Sequence, residues 1–332
     1  MEPVLAIDNL SVEFATQQGP LKALRNVELR VGAGEVVGIV GESGCGKSTL
    51  LSSILGLLAA NGRVTGGRIS LKGTDLLGLT EPELDRLRGD RMSVVFQDPM
   101  TTLNPVLSIG RQMTDIQYRR SLSAGQKKSR IVTMLAKVGI PDPEQRLSQY
   151  PHELSGGMRQ RVAIAMAMLA EPELLIADEP TTALDATLEI QIIRLLKDLQ
   201  RNTGCSILFI SHHLGLIAEL CDSVAVMYAG EIVERGSVRD IFHRAAHPYT
   251  QRLLACDPAR IQHPTSRLPT ILGDVPNLLS IPSGCIFAPR CPQVFGPCRG
   301  LRPAQHAAAL DHTAACHLLS ATTSNATPSL SS

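Results

Sequence analysis

Apolar residues come in short runs closed by turn residues at positions 35–40, 93–96, 173–177, 206–210 and 223–228, separated by stretches in which apolar positions recur at helical spacing. Near-continuous apolar strands alternating with helices predict a parallel sheet covered on both faces, because each crossover lays a helix over the sheet. Ahead of the first run, 4–7, 12–14 and 27–31 read as short antiparallel strands, and 68–71 joins them. Charge and helix formers dominate from about 81 to 160, and strand signals fade after Phe96, which predicts a helical insertion. The expected fold class is therefore α/β: over residues 1–250, a parallel sheet core with an antiparallel β subdomain and a helical subdomain, followed by a small cysteine-containing C-terminal domain over 251–319.

Composition narrows the class. The 332 residues are 44% hydrophobic and 19% charged, enough apolar material for one substantial core and a smaller appended unit. Thirty-two basic residues against thirty-one acidic leave a net charge of +1, so no overall field argues for nucleic acid or an anionic membrane surface. The first residues lack a basic stretch followed by an apolar run, and the longest near-apolar stretch, 50–60, is too short to cross a bilayer, so a cytoplasmic protein is expected. Past position 236 prolines accumulate, and 320–332 is almost wholly Ser, Thr, Ala, Asn and Pro, a composition that predicts a disordered tail.

The chemistry starts at Gly41-Glu42-Ser43-Gly44-Cys45-Gly46-Lys47-Ser48-Thr49, which fits G-x-x-x-x-G-K-[ST] between an apolar strand and an apolar helix. Glycines let backbone N–H groups turn in on phosphates, the helix N-terminus adds partial positive charge, Lys47 reaches the outer phosphates, and the Ser48 hydroxyl ligates Mg²⁺. A chance glycine-rich turn would not also supply strand, lysine and Ser-Thr in register. Cys45 inside this loop reads as a small space-filler, since the sequence places no base beside it. A second apolar run, 174–177, ends in Asp178-Glu179; Asp178 suits Mg²⁺, and Glu179 suits a general base or water-orienting group. An acidic pair at a strand end is common surface chemistry, and only the upstream phosphate loop favours the catalytic reading.

Leu154-Ser155-Gly156-Gly157-Met158, followed by Arg159-Gln160-Arg161, opens another helix about twenty residues before Asp178. With these motifs in this order the chain resembles the ATPase subunits of ABC transporters. The resemblance implies that Ser155, Gly156 and Gly157 meet ATP bound to an opposing subunit, that Gln97 senses Mg²⁺ and attacking water, that His212 contacts the γ-phosphate, and that Asp185 communicates across the dimer. It places Phe14 against adenine, where a buried strand phenylalanine is the plain alternative. His213 departs from the aspartate usual in related importers after the switch histidine. Phe96-Gln97-Asp98-Pro99, Tyr150-Pro151-His152-Glu153, His247-Pro248-Tyr249-Thr250 and Gly284-Cys285-Ile286-Phe287-Ala288-Pro289-Arg290-Cys291-Pro292 narrow the likeness to the oligopeptide, dipeptide and nickel importer ATPases. That likeness implies ATP and Mg²⁺, a second and paralogous ABC ATPase, two membrane permease subunits, an extracytoplasmic solute-binding protein, no nucleic acid, and a peripheral place on the cytoplasmic face of the membrane. Peptides are the expected cargo. Nickel and opines are alternatives, as is a soluble ABC ATPase acting on nucleic acid or the ribosome, which the short spacing from Lys47 to Ser155 disfavours. A P-loop kinase or GTPase would leave Leu154–Met158 and His212 without a role.

Cys285, Cys291, Cys298 and Cys316 stand within thirty-two residues of a proline-rich segment. So short a tail has little core for them to fill, and spacing together with the family likeness leads to the expectation of a [4Fe–4S] cluster. Zinc, with His306, His312 or His317 in a mixed site, and free thiols are the rivals.

Overall fold

A computed structural model describes residues 2–182, 184–258 and 269–323. In chain order these form β1 (Leu5–Thr16), β2 (Gly19–Val31), β3 (Val36–Val40), α1 (Lys47–Leu55), β4 (Gly62–Leu71), β5 (Thr74–Asp75), α2 (Glu81–Leu87) and β6 (Met92–Val95). Then come α3 (Pro99–Thr102), α4 (Ile109–Asp115), α5 (Ala124–Lys137), α6 (Pro143–Arg146), α7 (Gly156–Leu169), β7 (Leu174–Asp178), α8 (Ala186–Thr203), β8 (Ser206–Ile210) and α9 (Leu214–Leu220). Among the described residues β9 (Ser223–Tyr228), β10 (Glu231–Ser237), α10 (Val238–His243), α11 (Pro248–Ala255), α12 (Gly296–Gly300), β11 (His306–Ala309), β12 (His312–Ala314) and α13 (His317–Thr323) come last.

Two compact units result. One holds residues 2–5, 30–36 and 70–211, and the other holds 6–29, 37–69 and the described residues from 212 onward.

In the first unit, β6, β7 and β8 pair in parallel, with Val94 opposite Ile176 and Ile176 opposite Leu208. Every residue of β8 and the first four of β7 are buried, as strands covered on both faces must be. Helix α8 supplies Ile192, Ile193, Leu196 and Leu199 at i, i+1, i+4 and i+7, the stripe that a helix lays on a sheet. Helix α7 buries Val162, Ala163, Ile164, Ala165, Met168 and Leu169. The expected helical insertion is present as α2 to α6, interrupted by β6. Gln112, 6% exposed, cross-links the turn after α3: its amide donates to Asn104 O and Leu107 O, and its oxygen accepts from Asn104 N.

In the second unit, β3 pairs in parallel with β9, β9 is antiparallel to β10, β10 to β12, and β12 to β11. A further sheet has the order β2-β1-β4. The two strands expected at 4–7 and 12–14 are the single strand β1, which passes Asn9 at φ 49°. Thr313 and Ala314 pair with Arg235 and Glu234 of β10, and His312 Nε2 is hydrogen-bonded to Glu234 Oε1 at 2.7 Å, so the described part of 251–319 continues the sheet of its unit. Helix α13 runs to Thr323, inside the stretch expected to be disordered; 324–332 lies outside the described residues.

Candidate active site

In the second unit the loop between β3 and α1 carries the phosphate-binding motif. Gly44 and Gly46 sit at φ 78° and 110°, a left-handed backbone open to glycine, and Gly46 is the N-cap of α1. Gly41 is required by space. A Cβ there would come 2.1 Å from Met227 O and 2.8 Å from Cys45 Sγ. Lys47, 8% exposed, folds its ammonium into the loop, donating to Gly41 O at 2.8 Å and Glu42 O at 3.3 Å. Ser43, Gly44 and Ser48 face outward, Thr49 is half-buried, and Cys45 is buried. Burial pushes the Cys45 thiol up, against the opposing pull of Lys47, which suits a packing residue and not a nucleophile. A turn rich in left-handed glycine, a lysine at its centre and an exposed serine on the first helical turn together fit a Mg²⁺-nucleotide phosphate chain.

Phe14, half-buried on β1, lies against Gly62, where a Cβ would meet its ring at 2.7 Å, so the strand-packing reading has a contact behind it. His212 is exposed just before α9.

In the first unit β7 delivers Asp178 and Glu179 half-buried at its C-terminal end. Glu179 has φ 45°, its N–H donates to Ile210 O at 2.9 Å, and Thr182 Oγ1 donates to its Oε2 at 3.1 Å. Ser155 caps α7, with Oγ accepting from Met158 N. Gly156 is exposed, while Gly157 is buried against Leu188, 3.1 Å from where a Cβ would stand. Asp185 caps α8 by accepting from Thr187 N and Leu188 N, a structural task beside the one that the resemblance implies. Gln97 is exposed after β6. The first unit thus groups Gln97, Ser155, Gly156, Gly157, Asp178, Glu179 and Asp185; the second groups Phe14, 41–49 and His212.

A family model described as ABC transporter matches residues 24–182, and another described as Oligopeptide/dipeptide transporter, C-terminal region, matches 233–298. The dipeptide transport ATP-binding protein DppD of Bacillus subtilis is 47% identical over 96% of this chain and 95% of that protein. The oligopeptide transport ATP-binding protein OppD of Salmonella typhimurium is 46% identical over 90% of this chain and 89% of that protein.

The chain belongs to the ABC transporter family.

Its fold is that of an ATP-binding cassette. A solved dimer of the cassette MJ0796, in a post-hydrolysis state with ADP and Pi, superposes with TM-score 0.63 at 28% identity, covering 71% of this chain and 99% of that one. As a member of its family this cassette is an ABC-type ATPase. Among its described residues no helix is long and apolar enough to cross a membrane.

The cysteine segment of the cassette departs from expectation. Cys285, Cys298 and Cys316 are 7 to 9% exposed, Cys291 is half-buried, and Cys285 N donates to Cys298 O at 2.9 Å. Burial pushes the Cys285 thiol up to about 11, with Cys298, Cys316 and Cys291 adding to the rise. Among the described residues no group of three or more His, Cys, Asp or Glu is arranged to hold a metal ion, so the [4Fe–4S] expectation is not supported. Its premise, a tail without a core, fails physically. Phe287 is fully buried and packs edge-on against Tyr228 and Tyr249, and Ile286 is 4% exposed. Cys285, Cys298 and Cys316 are buried in the same segment as Phe287, which packs on Tyr228 of β9 and Tyr249 of α11.

Sequence reading passed over Glu42, Tyr249 and Arg290. Arg290 donates to both Glu42 carboxylate oxygens, at 2.8 and 3.0 Å, and Tyr249 Oη accepts from Glu42 N at 3.0 Å. The runs 41–49, 247–250 and 284–292 contain these residues, but their motifs gave Glu42, Tyr249 and Arg290 no task of their own.

Proposed function

We propose that this chain is the ATP-hydrolysing subunit of a peptide importer, working from the cytoplasmic face of the membrane on separate permease subunits and paired with a second ABC ATPase. The observation that carries the reading is the cassette's phosphate loop joined, in one chain, to the C-terminal region described for oligopeptide and dipeptide transporters. Relatives named for dipeptide and oligopeptide transport support peptides as cargo; nickel, opines and nucleic acid draw no support from them.

In this reading Lys47 and the N–H groups of 43–49 bind the phosphates, and Ser48, Asp178 and Gln97 are the residues for Mg²⁺, which neutralises phosphate charge. Glu179 orients and deprotonates the attacking water. His212 holds the γ-phosphate, Phe14 lies against adenine, and Ser155, Gly156, Gly157 and Asp185 act on the nucleotide of the opposing subunit. No step runs through the four cysteines. Iron and acid-labile sulfide analysis of anaerobically purified protein tests that segment, and a stoichiometric cluster would restore the [4Fe–4S] expectation.

The test is ATP-driven peptide uptake by the chain reconstituted with its permeases and partner ATPase. Lys47→Ala removes the charge on the phosphates and is expected to abolish uptake and weaken ATP binding at least tenfold, about 1.4 kcal/mol or more. Uptake unaffected by this change would refute the assignment.

A further inference from the structure

The ion pair between Glu42 and Arg290 ties the phosphate loop to the cysteine segment across 248 positions of sequence. Glu42 is the first residue after Gly41, and its carbonyl oxygen already accepts from the Lys47 ammonium. Its carboxylate is therefore a negative charge on the very loop that has to receive a polyanion.

Arg290 takes that charge up. The guanidinium is enclosed, 4% exposed, and grips both carboxylate oxygens. Its other contacts fix its plane: Nη1 donates to Tyr228 Oη at 3.3 Å, Nη2 to Ile271 O at 3.0 Å, and Nε to Leu272 O at 3.2 Å. The guanidinium lies over the Tyr228 ring, 5.8 Å from its centroid, Tyr228 packs on Tyr249 and Phe287, and Tyr249 Oη accepts from Glu42 N, so both the backbone N–H and the side chain of Glu42 are held. A bidentate arginine–carboxylate pair is directional, and with its guanidinium enclosed it is screened by salt less than a fully exposed pair.

We infer that Arg290 is a positioning residue for nucleotide binding: it neutralises Glu42 and turns its carboxylate away from the phosphate loop, leaving the Lys47 ammonium for the nucleotide phosphates. This rests on the reading of 41–49 as the ATP site and gives the C-terminal segment a task in it. Two consequences set it apart from simple packing. The penalty for losing Arg290 comes from a bare carboxylate, so it grows with the charge of the ligand. It also disappears when the carboxylate is removed.

The experiment measures binding of fluorescent ATP and ADP analogues to the full chain as parent, Arg290→Ala, Glu42→Gln and the double variant, each checked for folding by thermal unfolding. Arg290→Ala is expected to weaken ATP binding about tenfold or more, and ADP binding less. Adding Glu42→Gln should bring ATP affinity back to within about threefold of the parent, a residue of about 0.7 kcal/mol. Arg290→Lys, which keeps the charge and loses the fork, should fall between them. Should Arg290→Ala fail to fold, the double variant and Arg290→Lys still report, and their binding ATP tenfold more weakly than the parent would overturn the inference. Parent-like affinity in a folded Arg290→Ala would do the same. A parent chain that binds no nucleotide would instead refute the reading of the site itself.

Discussion

Glu179 is the carboxylate proposed above to act on the attacking water. It closes β7 and yet sits at φ 45°, a left-handed conformation that costs an L residue about 1 kcal/mol and persists only where the surroundings enforce it. Here they do. The N–H is held by Ile210 O at the end of β8, and Thr182 Oγ1 donates to the side chain. Glu179→Gln keeps shape, backbone angle and the bond from Thr182 while removing basicity and charge. It is expected to leave ATP affinity within about threefold of the parent and to slow hydrolysis about 10²- to 10⁴-fold, the range for loss of a general base. Steady-state turnover in the assembled transporter with direct binding measurements checks this, and parent-like turnover would remove Glu179 from the reaction.

At the scale of elements, His247 shows how a local rule and a buried environment combine. It precedes Pro248 at the start of α11, and its ring nitrogen caps the helix by accepting from Tyr249 N at 3.0 Å. Burial pushes its pKa down to about 4, only partly countered by a hydrogen bond to the Ala315 backbone. A histidine whose folded pKa lies below its unfolded one contributes stability that is complete above the unfolded value near 6.5, and this is lost as pH falls toward 4. The loss from this group amounts to about 2 kcal/mol by pH 5. Denaturant unfolding at pH 7.5 and 5 measures it, and His247→Asn, which retains a capping acceptor, should flatten the dependence. An unchanged pH slope in that variant would show that the acid sensitivity arises elsewhere.

The same segment explains what could and could not be read from sequence. β8 and β9 fall on the runs 206–210 and 223–228 because fully buried strands leave an unbroken apolar record. β10 left none, since it reads Glu-Ile-Val-Glu-Arg. Glu234 is nonetheless fully buried, accepting from Ala246 N and His247 N and paired with His312, so a charged residue occupies a core position that polarity patterns assign to solvent. β11 and β12 are four and three residues long and rich in alanine, too short for a period of two to register. In the candidate site the motifs were legible because their chemistry is contiguous along the chain. The grip of Arg290 on Glu42 was not, because its partners meet only through the packing of Phe287 and the two tyrosines.

In the proposed function one chain does not complete a hydrolytic site, and at the scale of the whole molecule Gly156 offers a way to test this. It is the first residue of α7, exposed, with no other part of the described residues beyond its own helical turn within 4 Å of where a Cβ would stand and no left-handed φ to forbid a side chain. A Cβ there meets no steric obstacle among the described residues, and a carboxylate in the first turn of a helix interacts favourably with the helix dipole, by about 0.3 to 1 kcal/mol. Gly156→Asp should therefore leave the melting temperature equal or higher and the ATP affinity of the lone chain unchanged. In the reading proposed here, however, that position faces the γ-phosphate held by the opposing subunit, where an added negative charge repels the ligand that closes the pair. In a Glu179→Gln background that accumulates the ATP-bound pair, Gly156→Asp should abolish pairing with the partner cassette on size-exclusion chromatography. In the otherwise intact transporter it should reduce hydrolysis to the background level of Lys47→Ala. Normal pairing and hydrolysis in this variant would exclude Gly156 from an intersubunit nucleotide site, while a lowered melting temperature would show that the glycine serves the fold of its own chain.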